Sequence, residues 1–224
     1  MNTYILHLET STKVCSVALS NNGKLIALNE MCEAGFAHGE NLTLLIESVL
    51  AEANVPLQSL AAVSVSSGPG SYTGLRIGVS TAKGICYALQ IPLIAVDSLH
   101  AIQQLAQQKY PNQRIAPMID ARRMEVFCAI YEPDSSLVKP IEANIIDENA
   151  LDSFEPFVAC GDGAEKLREI WSHRPITIAS EIVSSAAGQV AIAFQKLEQN
   201  KVEDVAYFEP FYLKDFVVNS KKTA

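Results

Sequence analysis

The sequence predicts an α/β protein of two halves, each with a mixed β-sheet flanked by helices. Near the start, "VCSVALS" and "KLIALNE" are joined by "NNG". Asn-Gly between apolar runs favours a β-hairpin, because its tight turn needs positive φ angles. Strand-like and helical patterns then alternate, and a new series of strands begins with "RIAPMID". We therefore predict one domain over residues 1–108 and a smaller α/β domain over residues 109–224.

The composition is that of an ordinary globular protein, with 49% hydrophobic and 19% charged residues and a formal net charge of −8. A chain this acidic is a poor stand-alone binder of nucleic acid, since that affinity comes largely from neutralising phosphates. The five cysteines are scattered, which predicts reduced thiols without a disulfide or zinc framework. With no secretory leader and no membrane span expected, we predict a cytoplasmic protein.

The first half holds three predicted helices. Apolar residues at three- and four-residue steps predict a helix over residues 39–53, with Leu44 outside its apolar stripe. The apolar run "LAAVSVSS" predicts a strand covered on both faces, and a helix over residues 73–89 follows it. After the strand "IPLIAVD", the segment "SLHAIQQLAQQ" predicts a third helix, with Ser98 placed to cap it.

The second half begins with "RIAPMIDARRMEVFCAIYE", which predicts two strands and a turn near residues 121–123. "DSSLVKPIEANII", "FVACGDG" and "ITIAS" predict further strands, and "AEKLREIW" predicts a helix. "SSAAGQVAIAFQKLEQ" predicts another helix, capped by Ser184 or Ser185. The tail "AYFEPFYLKDF" is predicted to be extended and aromatic.

The stretch "SSGPGSYTGLRIGVSTAKG" at residues 66–84 carries glycines in a GxGxxxG pattern. This is one residue longer than the dinucleotide-binding pattern, and Leu75 stands where a phosphate loop would have lysine. Two interpretations stay open. Free backbone N–H groups at the helix start can hold an anion, or the segment is a tight turn capped by Ser71 and Thr73.

The helix after this loop has two edges of small residues. Gly74, Gly78 and Ala82 form one edge, and Ser80, Gly84 and Ala88 form the other. Each interior glycine costs about 1 kcal/mol relative to alanine, so close packing is expected in return. The molecule's own sheet explains one edge, while the second suggests a helix from elsewhere, including another chain.

The sequence has no pattern of a catalytic nucleophile or a metal site. GxSxG and SxxK are absent. None of the four histidines has a ligand partner at the spacing of a helical metal site, and His38 is followed at that spacing by Leu42. These patterns argue against a metal ion held by this chain alone.

Five segments resemble the bacterial TsaB family, also called YeaZ. They are the glycine-rich stretch, "HLETSTKVCSVAL", "AHGENLTLLIESVLAEA", "IDARRMEVFCAIY" and "PFYLK". The resemblance implies an actin-like, sugar-kinase-like (ribonuclease H-like) fold of two lobes. It also implies a non-catalytic scaffold that works with TsaD and the ATPase TsaE. That system transfers threonylcarbamoyl from its adenylate to N6 of the adenosine next to the anticodon, in tRNAs that read codons starting with A.

The same resemblance implies pairing with TsaD through helices of the first lobe, and self-pairing when the chain is alone. ATP with magnesium and the metal are expected on the partner subunits, with no cofactor on this chain, and tRNA is expected to be met only through the complex. The predicted partner-interface residues are His38, Asn41, Leu44, Leu45, Ser48, Arg76, Gly78, Thr81, Ala82, Gly84 and Ile85.

A second set of residues is a candidate for contact with an anion or nucleotide. It consists of Glu9, Ser11, Thr12, Gly68, Gly70, Ser71, Thr73 and Gly74. The turn "ETSTKVCS" corresponds to the phosphate-contacting turn of the actin-type fold. It lacks glycine and begins with Glu9, where the TsaB family usually has aspartate. The turn "DARRME" in the second half also lacks glycine, and the strand-ending Gly161-Asp162-Gly163 could lie near an adenine. Both glycine-poor turns argue against direct phosphate contact.

Two other functions are considered. The first is a small-molecule kinase or ATPase of the same fold, with its own nucleotide site between the lobes, against which the glycine-poor turns argue. The second is a peptidase, for which the sequence offers neither a metal pair nor a nucleophile.

Overall fold

Two five-stranded sheets organise the chain. The computed structural model describes residues 2–32 and 38–214. The first sheet has the order β3-β2-β1-β4-β5. Its strands are β1 (Tyr4–Glu9), β2 (Val14–Asn21), β3 (Lys24–Cys32), β4 (Leu60–Ser66) and β5 (Leu93–Val96). β1, β2 and β3 pair antiparallel, while β4 is parallel to both β1 and β5.

The predicted hairpin joins β2 and β3. Asn22 and Gly23 have φ angles of 50° and 72°, as the type I′ turn requires. A Cβ on Gly23 would lie 2.8 Å from the ring of Phe194. Glycine therefore serves the turn and the packing of a distant helix together.

Two helices cover one face of this sheet, as the apolar periodicity predicts. They are α1 (His38–Glu52) and α2 (Tyr72–Leu89). The α1 residues Leu42, Leu45 and Val49 pack into the same cluster as Leu6 and Val17 of the sheet. Burial of this stripe, at about 25 cal/mol per Å² of apolar surface, is the main force that holds α1 in place.

The second sheet has the order β10-β9-β6-β7-β8. Its strands are β6 (Ile115–Asp120), β7 (Glu125–Tyr131), β8 (Leu137–Ile145), β9 (Val158–Cys160) and β10 (Thr177–Ala179). β6, β7 and β8 form an antiparallel series, and β9 lies parallel to β6 and β10. The predicted fold class, two lobes with a mixed sheet each, is confirmed.

Two helices cross between the halves. The helix α3 (Ser98–Lys109) contributes Leu99 and Ile102 to the core of the second sheet. The helix α4 (Val190–Glu198) contributes Ile192 and Ala193 to a core with Ile5 of the first sheet. The predicted boundary after residue 108 thus lies between the sheets, but the helices that cover them are exchanged. We call the first sheet with α1, α2 and α4 the first lobe, and the second sheet with α3 the second lobe.

Two local predictions are wrong. The segment "AEKLREIW" forms only a 3-10 turn, Glu165–Leu167, instead of a helix. Trp171 holds this segment in place, since its side chain is buried and donates its indole N–H to Asp147 O at 2.9 Å. Ser98 is the first residue of α3, and the cap is Asp97, whose Oδ1 accepts from His100 N at 2.9 Å.

The segment predicted as one capped helix at residues 184–199 has two parts. Ser185 caps a short 3-10 helix, Ala186–Gln189, by accepting from Ala187 N at 3.2 Å. The helix α4 continues directly from it. Ser185 is therefore the cap, and Ser184 bonds to Thr12 of the first lobe instead.

Candidate partner-binding surface and glycine-rich loop

The glycine-rich loop is a tight strand-to-helix connection between β4 and α2. Ser71 caps α2, since its Oγ accepts from Gly74 N at 3.2 Å. Gly68 has a φ of +108°, and its carbonyl accepts from Ser98 N at 3.0 Å. A Cβ at Gly68 would lie 2.4 Å from Phe211 O, so the tail of the chain passes where a side chain would otherwise stand. Thr73 is exposed on the first turn of α2.

The loop lies against the turn that joins β1 to β2. Ser71 N donates to Ser11 O at 2.6 Å. A Cβ on Gly70 would lie only 2.3 Å from that same oxygen. The close backbone approach that glycine permits is thus made to the chain's own carbonyl.

The β1–β2 turn is buried and tied to its own chain. Glu9 is fully buried, and its carboxylate accepts from Ser11 N at 2.7 Å and from Gln189 Nε2 at 3.5 Å. Burial is the main influence on this carboxyl and raises its pKa. Thr12 Oγ1 lies 2.5 Å from Ser184 Oγ. The structure brings the predicted anion-contacting residues together, and anion binding by them stays a prediction.

The corresponding turn of the second lobe is built around a lysine. Lys166 Nζ donates to Asp120 Oδ1 and to Glu125 O, both at 2.6 Å. Arg122 and Arg123 have positive φ angles of 68° and 51° in this turn. The neighbouring Asp162 accepts from Asp120 N at 3.1 Å, and burial raises the pKa of its carboxyl. This residue, between two strand-ending glycines, thus serves to join the two turns of its own lobe.

One edge of α2 packs inside its own lobe. Gly74, Gly78 and Ala82 are buried. A Cβ on Gly78 would lie 2.3 Å from Thr10 Oγ1 and 3.4 Å from Val65 Cγ2. The prediction that Gly78 and Ala82 contact a partner is therefore corrected, because both residues face the chain's own sheet.

The other edge of α2 is exposed. Ser80, Gly84 and Ala88 all face outward. Among the described residues, no atom outside the helix lies within 4 Å of the position that a Cβ on Gly84 would take. Of the two small-residue edges, this one is open to another chain. Thr81 and Ile85 are half-buried beside it.

The predicted interface residues of α1 divide in the same way. Leu45 is buried in the core of the first lobe, so its assignment to an interface is also corrected. Leu44 is 61% exposed. Asn41 is half-buried, and Ser48 is exposed and accepts from Asn29 Nδ2 at 3.1 Å. His38 begins the helix, and its side chain lies outside the described part of the structure.

Arg76 lies on the exposed side of α2, near the glycine-rich loop. Its guanidinium lies 4.6 Å from the centre of the Tyr72 ring. A hydrogen bond to Tyr212 is the main influence that raises the pKa of this guanidinium. Tyr72 and Tyr212 in turn have their ring centres 4.8 Å apart. The arginine is thus held by aromatic groups of its own chain.

The tail segment at residues 203–212 belongs to this surface, a position that the sequence patterns do not predict. Lys83 Nζ donates to Ala206 O at 2.9 Å and to Phe208 O at 3.1 Å. A shallow groove of about 610 Å³ lies between the tail and α2, lined by Lys83, Gly84, Tyr87, Asp204, Val205 and Ala206. Gly84 therefore adjoins an open, largely apolar depression. The aromatic composition of the tail is the one sequence signal that it packs against something.

Within residues 2–32 and 38–214, no three His, Cys, Asp or Glu side chains are grouped so that they could hold a metal ion. In the same ranges, no helix has the length and apolar character of a membrane span. The cysteines are free thiols, of which Cys32 is exposed and the other four are buried.

The sequence of this chain is similar to a known protein family and to known proteins. A family model described as "TsaD: tRNA N6-adenosine threonylcarbamoyltransferase" matches residues 32–221. The tRNA threonylcarbamoyladenosine biosynthesis protein TsaB of Escherichia coli is 28% identical over 226 residues, which span 97% of each chain. The TsaB protein of Bacillus subtilis is 31% identical over 147 residues, or 66% of this chain and 62% of that protein.

Solved structures give the same assignment. YeaZ from Pseudomonas aeruginosa superposes with a TM-score of 0.81 at 26% identity, covering 94% of this chain and all of that chain. An activator of 2-hydroxyisocaproyl-CoA dehydratase from Clostridium difficile shares the fold alone, with a TM-score of 0.52 at 9% identity.

The two lobes, each with a mixed five-stranded sheet and helices, define a protein of the actin-like, sugar-kinase-like fold class. The chain belongs to the family that the TsaD model describes, and within it to the TsaB (YeaZ) proteins.

Proposed function

We propose that this chain is a non-catalytic scaffold subunit in the biosynthesis of threonylcarbamoyladenosine in tRNA. Its TsaB relatives carry that pathway in their names. In this proposal the chain pairs with TsaD, works with the ATPase TsaE in the cytoplasm, and meets tRNA through the complex. The threonylcarbamoyl group passes from its adenylate to N6 of the adenosine next to the anticodon. The reacting groups, with the metal and nucleotide, belong to the partners.

The exposed edge of α2 is the observation that carries this proposal. A glycine in a helix interior costs about 1 kcal/mol relative to alanine. At Gly84 no close contact with the described part of the chain requires it. Small residues at four-residue steps let another helix approach closely, and Leu44 adds exposed apolar area on α1. We therefore place the contact with TsaD on Leu44, Ser80, Gly84 and Ala88.

The packing of the glycine-rich loop supports a scaffold role over nucleotide turnover. Gly68 and Gly70 face the carbonyl oxygens of Phe211 and Ser11 at distances that leave no room even for a methyl group. The Ser71 N–H at the start of α2 is already donated to Ser11 O. These contacts use part of the backbone that would otherwise approach a phosphate.

The test is the substitution Gly84→Leu, with Ala191→Leu as the matched control. Both residues are small, exposed and helical, but Ala191 lies on α4, away from the proposed surface. We expect Gly84→Leu to weaken binding to TsaD at least tenfold and to reduce tRNA modification in the reconstituted system. Ala191→Leu should change neither, and circular dichroism should show both variants folded. Equal TsaD binding by the two folded variants would contradict the proposal.

A further inference from the structure

The exposed face of α1 combines an apolar residue with carboxylates. Glu40, Leu44 and Glu47 follow at steps of four and three residues, so they share one side of the helix. All three are exposed, and Leu44 is 61% exposed. The helix, His38–Glu52, contains no lysine or arginine. An apolar contact point on α1 is therefore flanked by negative charge on both sides.

These carboxylates have no counter-ion among residues 2–32 and 38–214. In the described part of the structure, neither Glu40 nor Glu47 takes part in an ion pair. The two cations of α2 are engaged elsewhere: Arg76 with Tyr72 and Tyr212, and Lys83 with two tail carbonyls. The negative charge on this face is thus left for a partner.

The position of the charges along α1 adds to the argument. The C-terminal half of a helix carries the negative end of the helix dipole and favours cations. Glu47 and Glu52 lie in that half, and the last turn has no basic residue. Glu40 lies in the first turn, where the dipole favours it, but Glu47 and Glu52 gain no such stabilisation. The favourable contacts of Glu47 are therefore expected outside the chain.

We propose that α1 selects its partner by charge, an inference that rests on the proposed function. The partner presents an apolar site for Leu44, edged by lysine or arginine side chains that pair with Glu40 and Glu47. In a symmetric homodimer, the second copy of this chain presents the same acidic helix to the interface. Like charges facing each other across an interface disfavour that pairing. The carboxylates therefore favour the heterodimer and oppose the homodimer.

Salt acts in opposite directions on the two pairings. Exposed charges are screened within about 8 Å at physiological ionic strength and within about 3 Å at 1 M salt. Salt should therefore weaken the heterodimer, where the charges attract, and strengthen the homodimer, where they repel. Hydrophobic contacts alone would not produce this opposition.

The experiment compares the full-length chain with the double variant Glu40→Gln, Glu47→Gln. Glutamine keeps the shape and helix propensity and removes only the charge. The matched control is Glu148→Gln, Glu169→Gln, a pair of exposed carboxylates on the second lobe without ion pairs in the described structure. Binding to TsaD and self-association are each measured by analytical ultracentrifugation in 50 mM and 500 mM NaCl.

For the wild type and the control, we expect TsaD binding to weaken and self-association to strengthen in 500 mM NaCl. The Glu40→Gln, Glu47→Gln variant should bind TsaD about fivefold to tenfold more weakly in 50 mM NaCl, since each exposed ion pair contributes modestly. It should also self-associate more strongly than wild type and respond less to salt in both assays.

The outcomes separate this inference from the proposed function. If wild type binds TsaD but the charge-neutral variant matches it in affinity and salt dependence, charge selection is overturned and the scaffold role stands. If wild type does not bind TsaD at either salt concentration, the proposed pairing fails and the inference fails with it. Weaker self-association of the neutral variant would also overturn the inference, because repulsion predicts the opposite.

Discussion

Gly78 and Gly84 lie in the same helix but face different surroundings. A Cβ on Gly78 would lie 2.3 Å from Thr10 Oγ1, whereas a Cβ on Gly84 would meet no atom of the described residues within 4 Å outside the helix. Thr10 Oγ1 is buried and has no hydrogen-bond partner among the residues that the structure describes. Gly78 therefore serves the packing of its own lobe, and Gly84 leaves space on the surface.

Alanine at these two positions should change stability in opposite directions. Gly84→Ala should raise the free energy of unfolding by up to about 1 kcal/mol, because alanine is the better helix former and space is free. Gly78→Ala should lower it by about 1–3 kcal/mol through overpacking. Urea unfolding of both variants measures the difference.

Thr10 supplies the control for the Gly78 prediction. Thr10→Ala removes the clashing oxygen and leaves the next contacts, to Val65 Cγ2 and Thr10 Cβ, at an ordinary 3.4 Å and 3.5 Å. The double variant Thr10→Ala, Gly78→Ala should therefore recover much of the lost stability, giving a favourable coupling in a double-mutant cycle. Strictly additive effects would show that the clash is not the cause.

At the scale of elements, the start of α3 joins the first sheet to the second lobe. Asp97 follows β5 and caps α3 through His100 N. Burial raises the pKa of this carboxyl to about 6, partly offset by the hydrogen bonds that it accepts. The cap is therefore a group that titrates within an accessible pH range.

Asp97 makes a specific pH dependence testable. Its folded-state pKa is higher than the unfolded value near 3.9, so the native state binds more protons between about pH 4 and 6. Stability through this group is therefore full below pH 4 and falls as pH rises through 6. Asp97→Asn keeps the cap, because asparagine is equally good at this position.

The measurement is the unfolding free energy of wild type and Asp97→Asn between pH 4 and pH 7. As pH rises from 4 to 7, the unfolding free energy of the variant should increase relative to that of wild type by on the order of 2 kcal/mol. Glu148→Asn, at an exposed carboxylate of the second lobe, serves as the control. A constant difference between Asp97→Asn and wild type across the range would contradict the prediction.

At the scale of the whole molecule, a buried polar network connects the two ends of the chain. Ser64 Oγ donates to Gln189 Oε1 at 2.7 Å, and His7 Nδ1 lies 2.7 Å from Ser64 Oγ. His7 Nε2 lies 2.8 Å from Ser20 Oγ. Since Ser64 donates its proton to Gln189, the His7 Nδ1–H donates to Ser64, and Nε2 accepts from Ser20. The histidine is neutral in this arrangement.

Because of His7, we expect the stability of the folded protein to fall in acid. Burial lowers its pKa from 6.5 to about 3. The unfolded chain binds this proton below about pH 6.5 and the native chain does not. Stability through His7 is therefore full above pH 6.5 and is lost as pH falls toward 3, by roughly 4 to 5 kcal/mol.

Nuclear magnetic resonance of the imidazole groups tests this prediction directly. The His7 ring should remain neutral, with its proton on Nδ1, for as long as the protein is folded. A His7 titration near pH 6.5 in the native state would show that the network is not closed as described.

Much of the fold follows from local patterns that the sequence shows directly. Asn22-Gly23 predicts the hairpin, and the apolar stripe of α1 predicts its buried face. The small-residue edges of α2 are also visible in sequence, but which edge is buried is not. That choice depends on Thr10, which is 68 residues away from Gly78 in the sequence.

The sequence by itself determined the order of elements in the first half, the hairpin turn and the family resemblance, because these depend on residues close together in the chain. Tertiary structure alone decided that α3 and α4 exchange lobes and that the tail lies along α2. It also decided that the glycine-rich loop encloses the chain's own carbonyls. These features depend on contacts between residues distant in sequence, and neither periodicity nor spacing records such contacts.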